Sequence, residues 1–230
     1  MLDLQSIYNA HELPEKCKEC SISKSTGRPF LACMDHQDLT QADVLFLSDS
    51  YRFDPTERIA FSEDEIDLIT SILGNLGRFT WAVSPSVKCP GVKEVDMSPN
   101  NMNICRDYLQ ETVKAVNPKL IFVCGNLAMK MLIKKSGIND KRGKQFLYED
   151  YPVIPLFHPL SVIIEPRHKF LFEADIKNAI NKYIFKKTVK TQFEYKVLTQ
   201  VAELQEELAI LTDTEKTISC DIETTGLNFL

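Results

Sequence analysis

Apolar residues fall along the chain in two alternating kinds of run. Val44-Leu45-Phe46-Leu47 and Leu120-Ile121-Phe122-Val123-Cys124 are short, unbroken and rich in strand formers, and turn chemistry follows each, Ser48-Asp49-Ser50 after the first and Gly125 after the second. Runs of this kind predict strands of a parallel sheet that is covered on both faces. Val153-Ile154-Pro155-Leu156-Phe157 reads the same way, and Phe79 to Val83 is a further strand. Ser84-Pro85-Ser86 is expected to end that strand just before Cys89, since proline cannot donate within a ladder.

Between these runs the apolar spacing becomes helical. Ile66, Ile69, Ile72, Leu73 and Leu76 share one face, with Ser62 as N-cap, Glu65 placed to close a capping box, and Gly74 and Gly77 at the end. Tyr108, Leu109, Thr112, Val113 and Val116 mark a helix from about Asn101 to Val116, which Asn117-Pro118 stops. Ala128 to Ile133 and about His168 to Lys187 complete the set, while Gly137 to Gly143 and the segment after His158 read as loop. Alternating strands and helices predict an α/β fold, a three-layer α/β/α arrangement around a mostly parallel four-stranded sheet.

Residues 1 to 41 are polar and punctuated by Pro14, Gly27 and Pro29, and read as mostly loop with a possible short helix. After Lys190 the pattern restarts with a strand-like Phe193 to Leu198, a helix capped by Thr199 and carrying Glu203, Leu204, Glu207 and Leu208, and a strand at Thr217-Ile218-Ser219-Cys220. Two strands and one helix cannot bury a core, so the expected division is a first domain over 1–188 and the beginning of a second, incomplete one over 189–230.

Composition changes this picture little. With 44% hydrophobic and 26% charged residues the chain is ordinary for a globular protein. No apolar run approaches the roughly 20 residues that span a bilayer and the N-terminus has no signal-like pattern, so a cytoplasmic protein without a membrane partner is expected. In that compartment the seven cysteines are expected to bind metal, react or lie buried rather than pair as disulfides. A net charge of −5 argues against a protein that coats nucleic acid by charge alone, although Lys130, Lys134, Lys135, Lys141, Arg142 and Lys144 gather locally, as do Lys182, Lys186, Lys187 and Lys190. Each cluster reads as a basic groove or as a solvated face.

Candidate chemistry concentrates at a few positions. Cys17-Lys18-Glu19-Cys20 has a spacing that lets two sulfurs meet one metal centre, and Cys89 and Cys105 add two more. Asp49 follows one strand and His158 another, at the sheet edge where open α/β sheets bind ligands. The alternative for Asp49 is a helix cap or turn residue, and for His158 a structural histidine. Asp221 and Glu223 lie two residues apart on a strand, on one face, where both carboxylates reach hard divalent cations.

The order of cysteines, Cys17-x-x-Cys20, then Val87-Lys88-Cys89, then Cys105, resembles that of the iron-sulfur uracil-DNA glycosylases over roughly residues 10 to 185. Cys124-Gly125-x-x-Ala128 and Arg142-Gly143 ahead of His158-Pro159 agree with that family's pattern. The resemblance implies a 4Fe-4S cluster on Cys17, Cys20, Cys89 and Cys105, with zinc on the same four thiolates as the rival. It implies that Phe61 stacks on a flipped base, that Asp49 orients water or supports positive charge on the sugar, and that His158 donates to charge developing on the base. Phe61, Pro85 and Ser48 fall at base-binding positions. The chain departs from the family in three places: Ser48-Asp49-Ser50 stands in place of Gly-Glu-Ala, Pro85 in place of the asparagine that reads uracil, and Leu160-Ser161-Val162-Ile163-Ile164 after His158 lacks the usual arginine.

Asp221-Ile222-Glu223-Thr224-Thr225-Gly226-Leu227 resembles the first motif of the 3′-5′ proofreading exonucleases, a ribonuclease H-like fold, in family A DNA polymerases. It implies magnesium or manganese on Asp221 and Glu223 once the rest of such a domain is present. Together the two resemblances imply the N-terminal, glycosylase-like and DNA-binding part of a phage replicative DNA polymerase, acting on single-stranded or template DNA inside a bacterial host with weak or no uracil excision. Its partners would be the remaining exonuclease and polymerase domains of the same polypeptide. An active uracil-DNA glycosylase and a structural or partner-docking domain are the alternatives.

Overall fold

A computed structural model of the chain describes residues 15–26, 42–51, 60–187 and 200–212. The chain divides into two compact units, Met1–Val189 and Lys190–Leu230. Within the second, the described part is one helix, Val201–Thr212, carrying acidic Glu203 in its first turn. The expected strands at 193–198 and 217–220, and with them Asp221 and Glu223, lie outside the described residues.

In the first unit, β1 (Val44–Tyr51), β2 (Trp81–Pro90), β3 (Leu120–Cys124), β4 (Phe146–Tyr148) and β5 (Tyr151–Leu156) form one sheet in the order β2-β1-β3-β5-β4. The first four of that order are parallel, and β4 joins β5 antiparallel at the edge. Two short helices, α1 (Glu15–Lys18) and α2 (Ser21–Thr26), precede the sheet. Crossover helices are α3 (Glu63–Leu73), α4 (Pro99–Val116) and α5 (Asn126–Ile133), with a single turn α6 (Ile138–Lys141). Helices α7 (Pro159–Ile164) and α8 (Lys169–Tyr183) follow β5.

The alternation of β1 explains the layers. Leu45 and Leu47 point to one face, where Leu109, Val113 and Val116 of α4 and Leu127 and Leu132 of α5 pack. Val44 and Phe46 point to the other, against Ile69 and Ile72 of α3 and Phe172, Ile176 and Ile180 of α8. Phe46 and Phe122 meet there with ring centroids 4.7 Å apart. Central β3 is buried at every position, which is why its sequence is apolar without alternation. Among the described residues no helix is long and apolar enough to cross a membrane.

Several expectations are corrected. The second strand does not end at Ser84-Pro85-Ser86 but continues through Pro85 and Cys89 to Pro90. Among the described residues it is the sheet edge, with no ladder neighbour on one side, and edge strands tolerate proline. The sheet has a fifth strand, β4, only three residues long and too short to show a period. The segment after His158 is a helical turn and a half, nucleated by Pro159 at its first position. Residues 15–26 hold two short helices where mostly loop was expected.

The N-terminal ends of three strands are tied by one side chain. Asp43 accepts hydrogen bonds from Thr80 N at 2.9 Å and Thr80 Oγ1 at 3.1 Å, and pairs with Lys119 Nζ at 2.7 Å. Burial alone would raise its pKa, but Lys119 and the Thr80 donors outweigh it and hold the carboxyl below its ordinary 3.8. A carboxylate with a depressed folded pKa stabilises the fold above its unfolded pKa and loses that contribution as pH falls through the folded value. Asp43→Ala is therefore expected to cost about 1–2 kcal/mol at neutral pH, mostly through the Thr80 donors since Lys119 is solvent-screened. Denaturant melts of both proteins should converge as pH falls below the carboxylate range.

Candidate functional site

The chain runs from β1 through α3 outward to β2, returns on the opposite face through α4 to β3, and leaves β3 toward β5. The strand order therefore reverses between β1 and β3, and the crevice outside their C-terminal ends is where such sheets bind ligands. Asp49, Gly125 and His158 stand at this edge.

Asp49 is held by α5. Gly125 is the N-cap of that helix and brings no capping side chain, and the carboxylate of Asp49 serves instead, accepting from Ala128 N at 2.8 Å. The Leu127 N–H also favours the charged form. The helix N-terminus carries partial positive charge that suits a carboxylate. Burial nevertheless dominates and raises the Asp49 pKa above 3.8, with the amides and His158 pulling the other way. Gly125 has φ +103°, and a Cβ there would stand 2.7 Å from Asp49 Oδ1 and 2.8 Å from Oδ2. Ser86 Oγ fixes the strand by donating to the Asp49 carbonyl at 2.7 Å.

His158 caps α7, and its Nδ1 lies 3.2 Å from Glu65 Oε1 and 3.3 Å from Leu160 N. One ring nitrogen serves only one of these, and the fully buried carboxylate is the stronger partner, so Nδ1–H donates to Glu65 and the Leu160 contact is secondary. Glu65 Oε2 in turn accepts from Ser62 N at 2.7 Å and Ser62 Oγ at 2.9 Å. This arrangement leaves Nε2 as the histidine's working atom. The sequence reading assigned Glu65 only to a capping box. Its place on one stripe with Ile69 and Ile72, at helical spacing, was the available signal that it points inward.

Phe61 packs against His158, with ring centroids 5.6 Å apart at 50°, and is itself buried. Behind the histidine, Arg142 pairs with Asp175 at 2.5 Å and its guanidinium lies 5.5 Å from the Phe157 ring centroid. Burial raises the Asp175 pKa despite that pair. Of the basic cluster around it, Lys130 is also paired, to Glu94 at 3.3 Å. Ser48 is fully buried and neighbours Pro85 across β1 and β2. The Pro85 carbonyl accepts from the buried Lys88 ammonium at 2.9 Å, and Ser84 Oγ lies at the same distance from it.

Cys17, Cys20, Cys89 and Cys105 are buried thiols that form no disulfide among the described residues. Cys17 and Cys20 flank the turn after α1, where Cys20 N donates to Cys17 O at 3.2 Å, and Cys20 Sγ lies 3.4 Å from Asn101 Oδ1 on α4. Cys89 comes from β2 and Cys105 from α4. Burial pushes the Cys105 thiol up to about 12, and the charges of Cys89, Cys17 and Cys20 raise it as well. Among the described residues no three metal-ligating side chains are close enough to enclose an ion as they stand. The donor set, four buried thiols from three segments, fits a thiolate-held centre. Cys124, also buried, lies at the other site, feeling Asp49 and Glu65.

Comparison with known proteins places these features in context. The Uracil DNA glycosylase superfamily matches residues 34–183. A DNA polymerase of Bacillus phage SP01 is 29% identical over 91 residues, 40% of this chain and 10% of the phage protein. The chain thus spans about a tenth of that relative's length. A type-4 uracil-DNA glycosylase of Archaeoglobus fulgidus is 24% identical over 173 residues, 70% of this chain and 85% of the relative. One from Sulfurisphaera tokodaii is 27% identical over 119 residues, 48% and 54%.

Proposed function

The chain belongs to the uracil DNA glycosylase superfamily, and from that we propose that it is a glycosylase-like DNA-binding module of a DNA polymerase, with weak or no uracil excision. The observation that carries the reading is the placement of Asp49, after β1, and of a Glu65-oriented His158, after β5, at the same C-terminal edge of the sheet, with the histidine's charge acting on Asp49. A nucleotide turned out of the stack would enter this edge and lie against Phe61. With Nδ1–H held by Glu65, His158 in its doubly protonated form would donate from Nε2 to the base oxygen on which negative charge develops, and the free lone pairs of Asp49 would face the sugar.

Excision is weak on this reading because the wall beside Ser48 is Pro85, which offers no side-chain hydrogen bond to a base edge, and buried pairing groups are what discriminate strongly between similar ligands. The likeness to a phage polymerase and the Asp221-x-Glu223 motif support a parent protein that also carries a proofreading exonuclease and polymerase domains. There the two carboxylates would hold magnesium or manganese. Cys17, Cys20, Cys89 and Cys105 would hold the 4Fe-4S cluster, whose chemistry here is to cross-link α1, β2 and α4.

A single-turnover assay with excess protein and a single-stranded oligonucleotide carrying one deoxyuridine tests this. The expected result is tight binding with release of uracil at most slowly, and what release there is lost in Asp49→Ala and His158→Ala. Fast release abolished by either substitution would make the chain an active glycosylase instead.

A further inference from the structure

Ser48 is 0% exposed, and among the described residues its hydroxyl oxygen has no hydrogen-bond partner. Such a group costs stability in the free protein, because a hydroxyl is taken from water and given nothing in return. Its position says what the omission serves. Pairing with β2 is in regular register through Ser48, so Ser48 lies on the same face of β1 as Val44 and Phe46, two and four residues earlier. That face packs with Phe61, the ring beside His158. The neighbouring wall offers little to compete: Pro85 has no polar side-chain atom, and its carbonyl is already bonded by Lys88.

Resting on the base-binding reading above, we infer that the Ser48 hydroxyl is the group that contacts the edge of a flipped pyrimidine and that, being a hydroxyl, it accepts uracil and cytosine alike. Uracil offers an acceptor oxygen at position 4 and a donor N–H at position 3; cytosine offers the reverse, an amino donor and a ring-nitrogen acceptor. A hydroxyl rotates to donate or to accept, so it satisfies either base with one bond. An amide or carboxylate fixed in place would favour one of them. The pocket so built holds pyrimidines as a class rather than selecting uracil.

The test is equilibrium binding of the whole chain to single-stranded oligonucleotides that differ at one position: deoxyuridine, deoxycytidine, or the difluorotoluene nucleoside, which has a pyrimidine's shape without its hydrogen bonds. Uracil and cytosine are expected to bind within about threefold of each other, and both about tenfold tighter than difluorotoluene, the worth of one buried hydrogen bond. Ser48→Ala is expected to erase that tenfold preference while leaving the thermal midpoint unchanged or about 1–3 °C higher, since it removes an unpaired buried polar atom. A Ser48→Ala protein that melts markedly lower would show that the hydroxyl has a structural partner, and overturns the inference. Equal affinity for all three oligonucleotides overturns it too, as expected of a hydroxyl satisfied by a trapped water, and so does a preference of tenfold or more for uracil over cytosine. Failure to bind any of them would instead sink the DNA-binding reading on which it rests.

Discussion

Serine at both Cys89 and Cys105 is expected to give protein that purifies colourless, without iron, and melts at least about 10 °C below the parent chain. The thiols come from β2 and α4 and, like Cys17 and Cys20, are buried, so a cluster on all four would tie three separate segments together. Ligand that binds only the folded state stabilises it in proportion to the logarithm of its affinity, and thiolate-held centres bind tightly enough for that to reach several kcal/mol. Polar serines left buried without the centre add to the loss. Cys124→Ser is the control, because Cys124 is equally buried but faces Asp49 and Glu65. It should keep colour and iron. Iron analysis and visible absorbance read the outcome, and zinc at one equivalent in the parent chain would replace the iron-sulfur centre by the rival metal.

Gly125→Ala is expected to destabilise the fold by about 2–4 kcal/mol, more than a typical glycine substitution. A φ of +103° is strained for any residue with a Cβ, at a cost of roughly 1–2 kcal/mol. The added carbon would also stand within 2.7 Å of Asp49 Oδ1, pushing the carboxylate off the helix it caps. The two parts separate in a double-mutant cycle. Asp49→Ala alone loses the cap for about 1–2 kcal/mol, and in its background Gly125→Ala should cost only the backbone strain. Additive losses, measured by denaturant melts, would contradict the contact.

The central strands and the residues at their ends were legible in the sequence because they rest on local rules. Leu120 to Cys124 could be recognised as a central strand from five apolar residues bounded by Pro118 and Gly125. His158 was placed at a strand tip because the run before it has nowhere else to end. What stayed hidden depends on neighbours far along the chain. Pro85 looks like a strand breaker until β2 is known to be an edge. That Asp49 caps a helix stood as an alternative, but which helix it caps requires knowing that Gly125 opens the adjoining one. The Glu65–His158 contact joins residues 93 positions apart, 158 less 65, and no periodicity announces it. β4 and the turn of α7 are too short for a pattern to form.

The claim on which the rest depends is that DNA is received at the C-terminal edge of the sheet. Hydrogen exchange of the chain with and without a saturating single-stranded oligonucleotide tests it most directly. Slowed exchange is predicted in peptides covering 48–50, 60–66, 124–128 and 158–164. Unchanged exchange there, with protection instead around Asp43, Thr80 and Lys119 at the opposite edge, would contradict it.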